Sequence, residues 1–181
     1  LSAARVPLLY RIHEEPAPEK LDALRETAQA AGLTMAKGQV LQTRHLNRLL
    51  EQAADHDDAE VINMATLRSM TQAYYGTESI GHFGLALRKY AHFTSPIRRY
   101  ADLVVHRGLI AAHGWGDGAG GKRDGQTEAD TERLDETGKH ISDTERRSMQ
   151  AERDTTDRYL ASYLSERVGS EMTGGITGVT R

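Results

Sequence analysis

The dipeptide Ser95-Pro96 restricts the backbone sharply. A hydroxyl cap followed by a residue whose ring fixes φ near the helical value predicts a helix beginning at Ser95 or Pro96. That helix is expected to run to about Ala112. Its first turn then carries Arg98 and Arg99, although a helix N-terminus is already positive and favours anions. A residue that breaks a local rule is where function is expected. Free N–H groups, the helix dipole and two guanidinium forks together make a strong phosphate site. The competing reading is a solvated face. Asp102 lies within helical pairing distance of both arginines, and exposed pairs of that kind contribute little.

A longer pattern surrounds this point. His82, Phe83, Gly84, Leu85, Tyr90, Thr94, Ser95, Pro96, Ile97, Arg98, Arg99, Tyr100, Asp102 and His106 together resemble the signature of the RNB family of 3′→5′ exoribonucleases, the family of ribonuclease II and ribonuclease R. The opening phrase LLYRIHEEPAPEKLDAL resembles the middle of a ribonuclease R catalytic domain, and ERRSMQAERDTTDRYLASYL resembles the helix that closes the RNB domain. The resemblance implies an enzyme that threads single-stranded RNA into a channel and releases nucleoside 5′-monophosphates with Mg²⁺. It implies that Arg98 contacts the scissile phosphate and supports the transition state, that Arg99 binds phosphate, and that Ser95 and Tyr100 shape the anion site. In ribonuclease II the glutamate of a Glu-Arg-Asp step lies beside the 3′ end of the RNA; the matching residue is Glu152, followed by Arg153 and Asp154. A solvated carboxylate paired with Arg147 or Arg153 is the equally open alternative for Glu152.

Metal ligands are a different matter. The family's catalytic aspartates lie in the N-terminal half of the RNB domain, and no matching cluster occurs here, so the resemblance assigns no metal ligand to this chain. His82, His92 and His106 are read as structural, since Mg²⁺ prefers oxygen. The run Asp55, His56, Asp57, Asp58 and Glu60 reads as the cap and dipole partners of a helix start, because adjacent residues project in different directions. The expectation is a fragment of an exoribonuclease that is inactive by itself. The alternative is a non-catalytic helical RNA-binding or protein-interaction module with vestigial RNB similarity.

Composition sets the outer limits. With 181 residues, 38% hydrophobic and 27% charged, and a mean hydropathy of −0.59, the chain suits a soluble, largely helical protein with a modest core. No apolar run approaches the eighteen or so residues of a spanning helix, and the first residues do not read as a signal peptide. No membrane partner and a cytoplasmic location are therefore expected. The absence of Cys excludes disulfides and thiolate metal sites. A net charge of −3 argues against a generic nucleic-acid binder. The distribution is more telling, because Arg88, Lys89, Arg98, Arg99 and Arg107 face the single acid Asp102 within residues 88–107. Tyr90, Phe93 and Tyr100 are interleaved with them, which suits phosphates and stackable bases, with burial in the core as the plainer reading.

The expected fold class is α+β and mostly helical. Strands are predicted near residues 5–13, 72–77 and 82–87, and helices near 19–31, 43–54, 57–70, 96–112 and 143–168. Leu21, Leu24, Ala28 and Ala31 mark one apolar face, and Leu46, Leu49, Leu50 and Ala53 another. Ser142-Asp143-Thr144-Glu145 reads as a capping box. The helix after it carries a predicted buried stripe of Met149, Thr156, Tyr159, Leu160, Tyr163, Leu164 and Val168. Residues 1–168 are expected to be the C-terminal portion of an RNB catalytic domain, with a glycine-rich flexible loop at 114–130. Residues 169–181 resemble the first strand of an S1 domain, a small OB-type barrel.

Overall fold

The computed structural model of the protein describes residues 5–36, 41–115 and 125–174. Its elements are β1 (Tyr10–Ile12), α1 (Pro18–Ala30), α2 (Thr43–Ala53), α3 (Ala59–Ser69), β2 (Tyr74–Gly76), a 3-10 turn (Phe83–Leu85), α4 (Tyr100–His113), α5 (Glu128–Glu132) and α6 (Leu134–Ser165). The class is α+β and mostly helical, as the periodicities predict.

Helices α1 to α3 form a layer with its own core. Leu21, Leu24 and Ala28 recur at helical spacing on α1, and Leu46, Leu49 and Ala53 on α2. All six are buried, together with Leu41 and with Ile62 of α3. Both α1 and α2 pack on α3. Pro18 stands at the first position of α1, where its missing N–H would have had no helical partner. Asp58 precedes α3 as its cap residue, although its side chain makes no capping bond.

The strands β1 and β2 pair antiparallel, with Arg11 opposite Tyr75. The first half of α6 lies along β2. Gly138 permits that approach, because a Cβ there would stand 3.0 Å from the Tyr75 carbonyl oxygen. One turn later the Ser142 hydroxyl donates to Gly138 O at 2.7 Å and accepts the Tyr75 N–H at 2.9 Å. Leu134, Leu9 and Val104 close a second, smaller core. Beyond it, Arg11 donates twice to Glu145, at 2.6 and 2.9 Å.

Four expectations change. The predicted strand at 82–87 is a 3-10 turn flanked by isolated bridges of His82 to His13 and to Leu87, closed where the His82 ring accepts the Leu85 N–H. The Ser142–Glu145 capping box lies inside α6, since the hydroxyl that would cap a helix is used to stitch α6 to β2. Among the described residues nothing covers α6 from Ala151 to Ser165, so Thr156, Tyr159, Leu160, Tyr163 and Leu164 are exposed rather than buried, and Val168 beyond the helix end is exposed too. Lastly, α4 begins at Tyr100, not at Ser95 or Pro96. Of the expected loop, residues 116–124 lie outside the described residues and 128–130 open α5; of the expected S1 strand, 175–181 lie outside and 170–174 hold no regular element.

Candidate functional site

The chain from Tyr90 to Arg99 has no helix or strand and is held at successive points by hydrogen bonds, the last of them to Asp102 in the first turn of α4. Arg11 N–H donates to Tyr90 O at 2.8 Å. The Tyr75 hydroxyl and His92 Nδ1 share a hydrogen bond of 2.8 Å. His106 Nε2 reaches back from α4 to donate to Phe93 O at 2.8 Å, its ring stacked on Phe93 at 4.6 Å. Next, Asp102 Oδ1 accepts the Ser95 N–H at 2.8 Å.

That last bond reaches the start of α4. Asp102 takes the Ser95 N–H and also accepts from Arg99, through Nε at 2.8 Å and Nη2 at 2.9 Å. Residues 95–99 therefore close as a separate turn, in which Arg98 N–H and Arg99 N–H both reach Ser95 O, at 3.2 and 3.1 Å. Arg99 is left extended, at φ −126° and ψ 118°, as the cap residue of α4. The Ser-Pro pair thus builds a turn in front of the helix, and the Asp102 carboxylate ties the start of that turn to the first turn of α4.

The two arginines have different surroundings. Arg99 is partly buried and clamped on Asp102, which is fully buried at 0% exposure. Burial by itself would raise the Asp102 carboxyl, but the Arg99 and Ser95 hydrogen bonds and the charges of Arg99 and His92 outweigh it and hold the group below its ordinary value. The same hydrogen bond raises Arg99. Arg98 is exposed, and among the described residues its guanidinium has no hydrogen bond or ion pair. Ile97 beside it is 98% exposed and Tyr100 51%. Ser95 is partly buried and contributes its backbone to the turn.

Beside the signature stretch a series of aromatic rings meets tilted or edge-on. His13 and His82 stand 4.9 Å apart, His82 and Tyr90 5.3 Å, Tyr90 and His92 5.6 Å, and His92 and Tyr75 5.6 Å. Burial, followed by the charges of neighbouring cations, lowers both His82 and His92 below their ordinary value. These rings hold backbone: His13 Nε2 donates to Thr71 O at 2.8 Å while its Nδ1 accepts the Gly84 N–H at 2.9 Å.

Glu152 is not brought to the turn. It stands on the exposed part of α6, and among the described residues it has no side-chain hydrogen bond or ion pair with Ser95, Arg98, Arg99 or Tyr100. Its neighbour Arg153 borders an open cavity of about 510 Å³ with His13, Thr71 and Arg146. Tyr100 borders a larger one of about 800 Å³ with Arg133, Lys139 and His140. As for Mg²⁺, no three His, Asp or Glu side chains converge among the described residues in a way that could hold a metal ion, so these residues do not fit one. Asp55, Asp57, Asp58 and Glu60 are exposed.

The sequence pattern offered Asp102 as a surface partner for the arginines, Ser142 as a helix cap, and Tyr75 no role beyond a place in a strand. One signal was present: an acid set inside Ala101-Asp102-Leu103-Val104-Val105 is placed where a buried face is expected.

Known proteins resemble this chain in sequence and fold. A family model for the RNB domain matches residues 1–114. The ribonuclease R of Escherichia coli is 40% identical over 98% of this chain, which spans 22% of that protein's length. Mycoplasma genitalium RNase R in complex with ribose-methylated single-stranded RNA superposes with a TM-score of 0.86 at 28% identity, over 99% of this chain and 28% of that one. Yeast Ssd1, a pseudonuclease, does so with a TM-score of 0.59 at 27% identity, over 77% of this chain and 16% of that one. With the family match running through the pinned turn and the residues on either side of it, this chain belongs to the RNB family of 3′→5′ exoribonucleases.

Proposed function

We propose that this chain is the C-terminal portion of the catalytic domain of a Mg²⁺-dependent 3′→5′ exoribonuclease, which hydrolyses single-stranded RNA to nucleoside 5′-monophosphates. Its contribution is the phosphate-binding turn. The observation that carries this reading is Arg98, a cation with no partner among the described residues, held out on a turn whose backbone is fastened on both sides.

Arg98 meets the scissile phosphate with its forked N–H donors and stabilises the charge that develops there. A donor already in place contributes more in the transition state than one that must be organised during the reaction. Arg99 spends Nε and one Nη2 bond on Asp102 and offers the remaining N–H groups to an adjacent phosphate. Tyr100 supplies an exposed ring beside the strand. The Ser95 hydroxyl lines the same anion site. Glu152, exposed on α6, is the second catalytic candidate and acts near the 3′ end of the RNA. In the intact enzyme a bound Mg²⁺ would supply water activation, held by residues other than the described ones, and no step assigned to this chain passes through it. Residues 169–181 open an S1 domain, and the enzyme works in the cytoplasm.

The competing reading, a non-catalytic RNA-binding or interaction module, is favoured by the likeness to yeast Ssd1, a pseudonuclease. A single assay separates the two. With Mg²⁺ and a 3′-labelled single strand, the 181-residue chain should release no nucleotide, whereas the full-length protein that contains it should release 5′-monophosphates. Arg98→Gln in the full-length protein should slow turnover by about 10²–10³-fold with RNA binding nearly unchanged. A full-length protein that binds RNA and releases nothing establishes the non-catalytic module.

A further inference from the structure

Asp102 has no direct part in the function just proposed, yet it is the most completely buried charge of the signature. An acid in the first turn of a helix is ordinarily accounted for by the helix dipole, which needs no burial. Removing a carboxylate from water is costly unless its oxygens are fully satisfied. Here they are. Oδ1 accepts from Ser95 N–H and from Arg99 Nη2, and Oδ2 accepts from Arg99 Nε, all between 2.8 and 2.9 Å.

The identity of those donors is informative, because Ser95 and Arg99 are the two ends of the turn that carries Arg98. One carboxylate ties both ends, and Arg98 lies between them. A second point concerns charge. Asp102 sits four residues after Arg98, a spacing that allows a helical ion pair, and yet it pairs with Arg99. Because Arg99 occupies both oxygens, Asp102 does not neutralise Arg98.

We infer that Asp102 is a positioning residue: its carboxylate, shared between Ser95 N–H and the Arg99 guanidinium, sets the backbone of the 95–99 turn so that Arg98 is presented uncompensated to the RNA phosphate. This rests on Arg98 acting as proposed above. Arg98 itself is a long and flexible side chain, so its placement is only as good as that of its own Cα. Displacements near 1 Å in a reacting group cost up to about a hundredfold in rate.

The test is a double-mutant cycle in the full-length protein. Asp102→Asn keeps the shape and can still accept from Ser95, but it offers an NH₂ to Arg99, whose groups only donate. Asp102→Asn, Arg98→Gln and the double variant are compared in kcat, KM and melting temperature on a labelled single strand. Asp102→Asn should lower kcat on the order of tenfold to a hundredfold with KM within about twofold. The double variant should be no slower than Arg98→Gln alone, because a displaced arginine and an absent one are equivalent. A role confined to stability would lower the melting temperature and slow both backgrounds by the same factor, and that result overturns the inference. Should Asp102→Asn not fold, Arg99→Lys enters the same cycle, since it keeps the charge and loses the two-point clamp; additivity there is equally fatal. If Arg98→Gln turns over normally, both the inference and the function proposed for Arg98 fail. If Arg98→Gln is slow while Asp102→Asn is not, only the inference does.

Discussion

The layer of α1, α2 and α3 closes on Leu21, Leu24, Leu46, Leu49 and Ile62, whereas the segment from Tyr90 to Asp102 buries only Ala101 and a carboxylate. The first region is held by burial, which is additive in area and indifferent to direction. The second is held by hydrogen bonds at Tyr90, His92, Phe93 and Ser95, each with a defined donor and acceptor. Burial can be shared among many side chains; a directed bond fixes one geometry. A segment with the role proposed for the Arg98 turn needs one defined geometry, which polar contacts give it, while the apolar layer supplies the stability those contacts lack. The contrast predicts which substitutions damage the fold and which damage only the turn.

The largest effect belongs to the layer. Leu49→Ala leaves a cavity among residues that cannot collapse onto it, and should cost about 2–5 kcal/mol in urea melts of the full chain. The same kind of change on the exposed part of α6 should do little: Tyr159, 75% exposed, replaced by Ser should shift stability by no more than about 0.5 kcal/mol. If the two substitutions cost the same, α6 is covered by something and the comparison is broken.

A smaller effect separates the arginines. Two cations at a helix start predict that removing either relieves repulsion from the dipole, so that both variants melt at or above the parent. The geometry alters this for Arg99 alone. Arg99→Gln withdraws the partner of a fully buried carboxylate and should cost about 1.5–3 kcal/mol, the range for hydrogen bonds to charged groups. Arg98→Gln removes no contact and should stay within about 0.5 kcal/mol. Equal losses at the two positions would show that Arg98 has a structural partner.

These regions also differ in how far they could be read. Helices α1 to α3 were legible because their apolar residues recur at 3.6-residue spacing and the partner faces lie on neighbouring helices. Arg98 was singled out through the signature in which it sits, and the structure leaves it exposed. The start of α4 was not legible, because Ser95-Pro96 is a valid cap and first position for any helix, and here the pair opens a separate turn that a bond to Asp102 ties to the helix. Ser142 misled for the same reason: a hydroxyl signals a cap when its partner is local, and here the partner is Tyr75 on a strand. The apolar stripe of α6 has helical periodicity, which tells which residues share a face and not what lies against it. Local patterns thus predicted local structure, and failed wherever one distant polar group decided the outcome.

The smallest predicted effect depends on pH and falls in the polar segment. His92 lies between Tyr75 and Tyr90, with Arg99, Arg11, Asp102 and Glu145 as its charged surroundings. Burial first, then the two arginines, hold it below its ordinary value of 6.5, against the opposing pull of the two acids. His82 is lowered as well, by burial and by the charges of His13 and Arg11. For a base lowered on folding, the unfolded chain takes up the proton first. The stability it contributes is complete above 6.5 and is lost as pH falls from there through the folded value. Asp102 acts in another window, since its lowered carboxyl stays ionised until pH drops below its ordinary value of 3.8. Between pH 7 and about 5.5, therefore, the hydrogen-bonded amides of Ser95, Arg98 and Arg99 should lose protection in hydrogen exchange, after correction for the intrinsic rate, while those of α1 and α2 around Leu24 and Leu49 should not. A uniform change across both regions would mean that the segment does not open on its own, and that the layer and the turn are one cooperative unit.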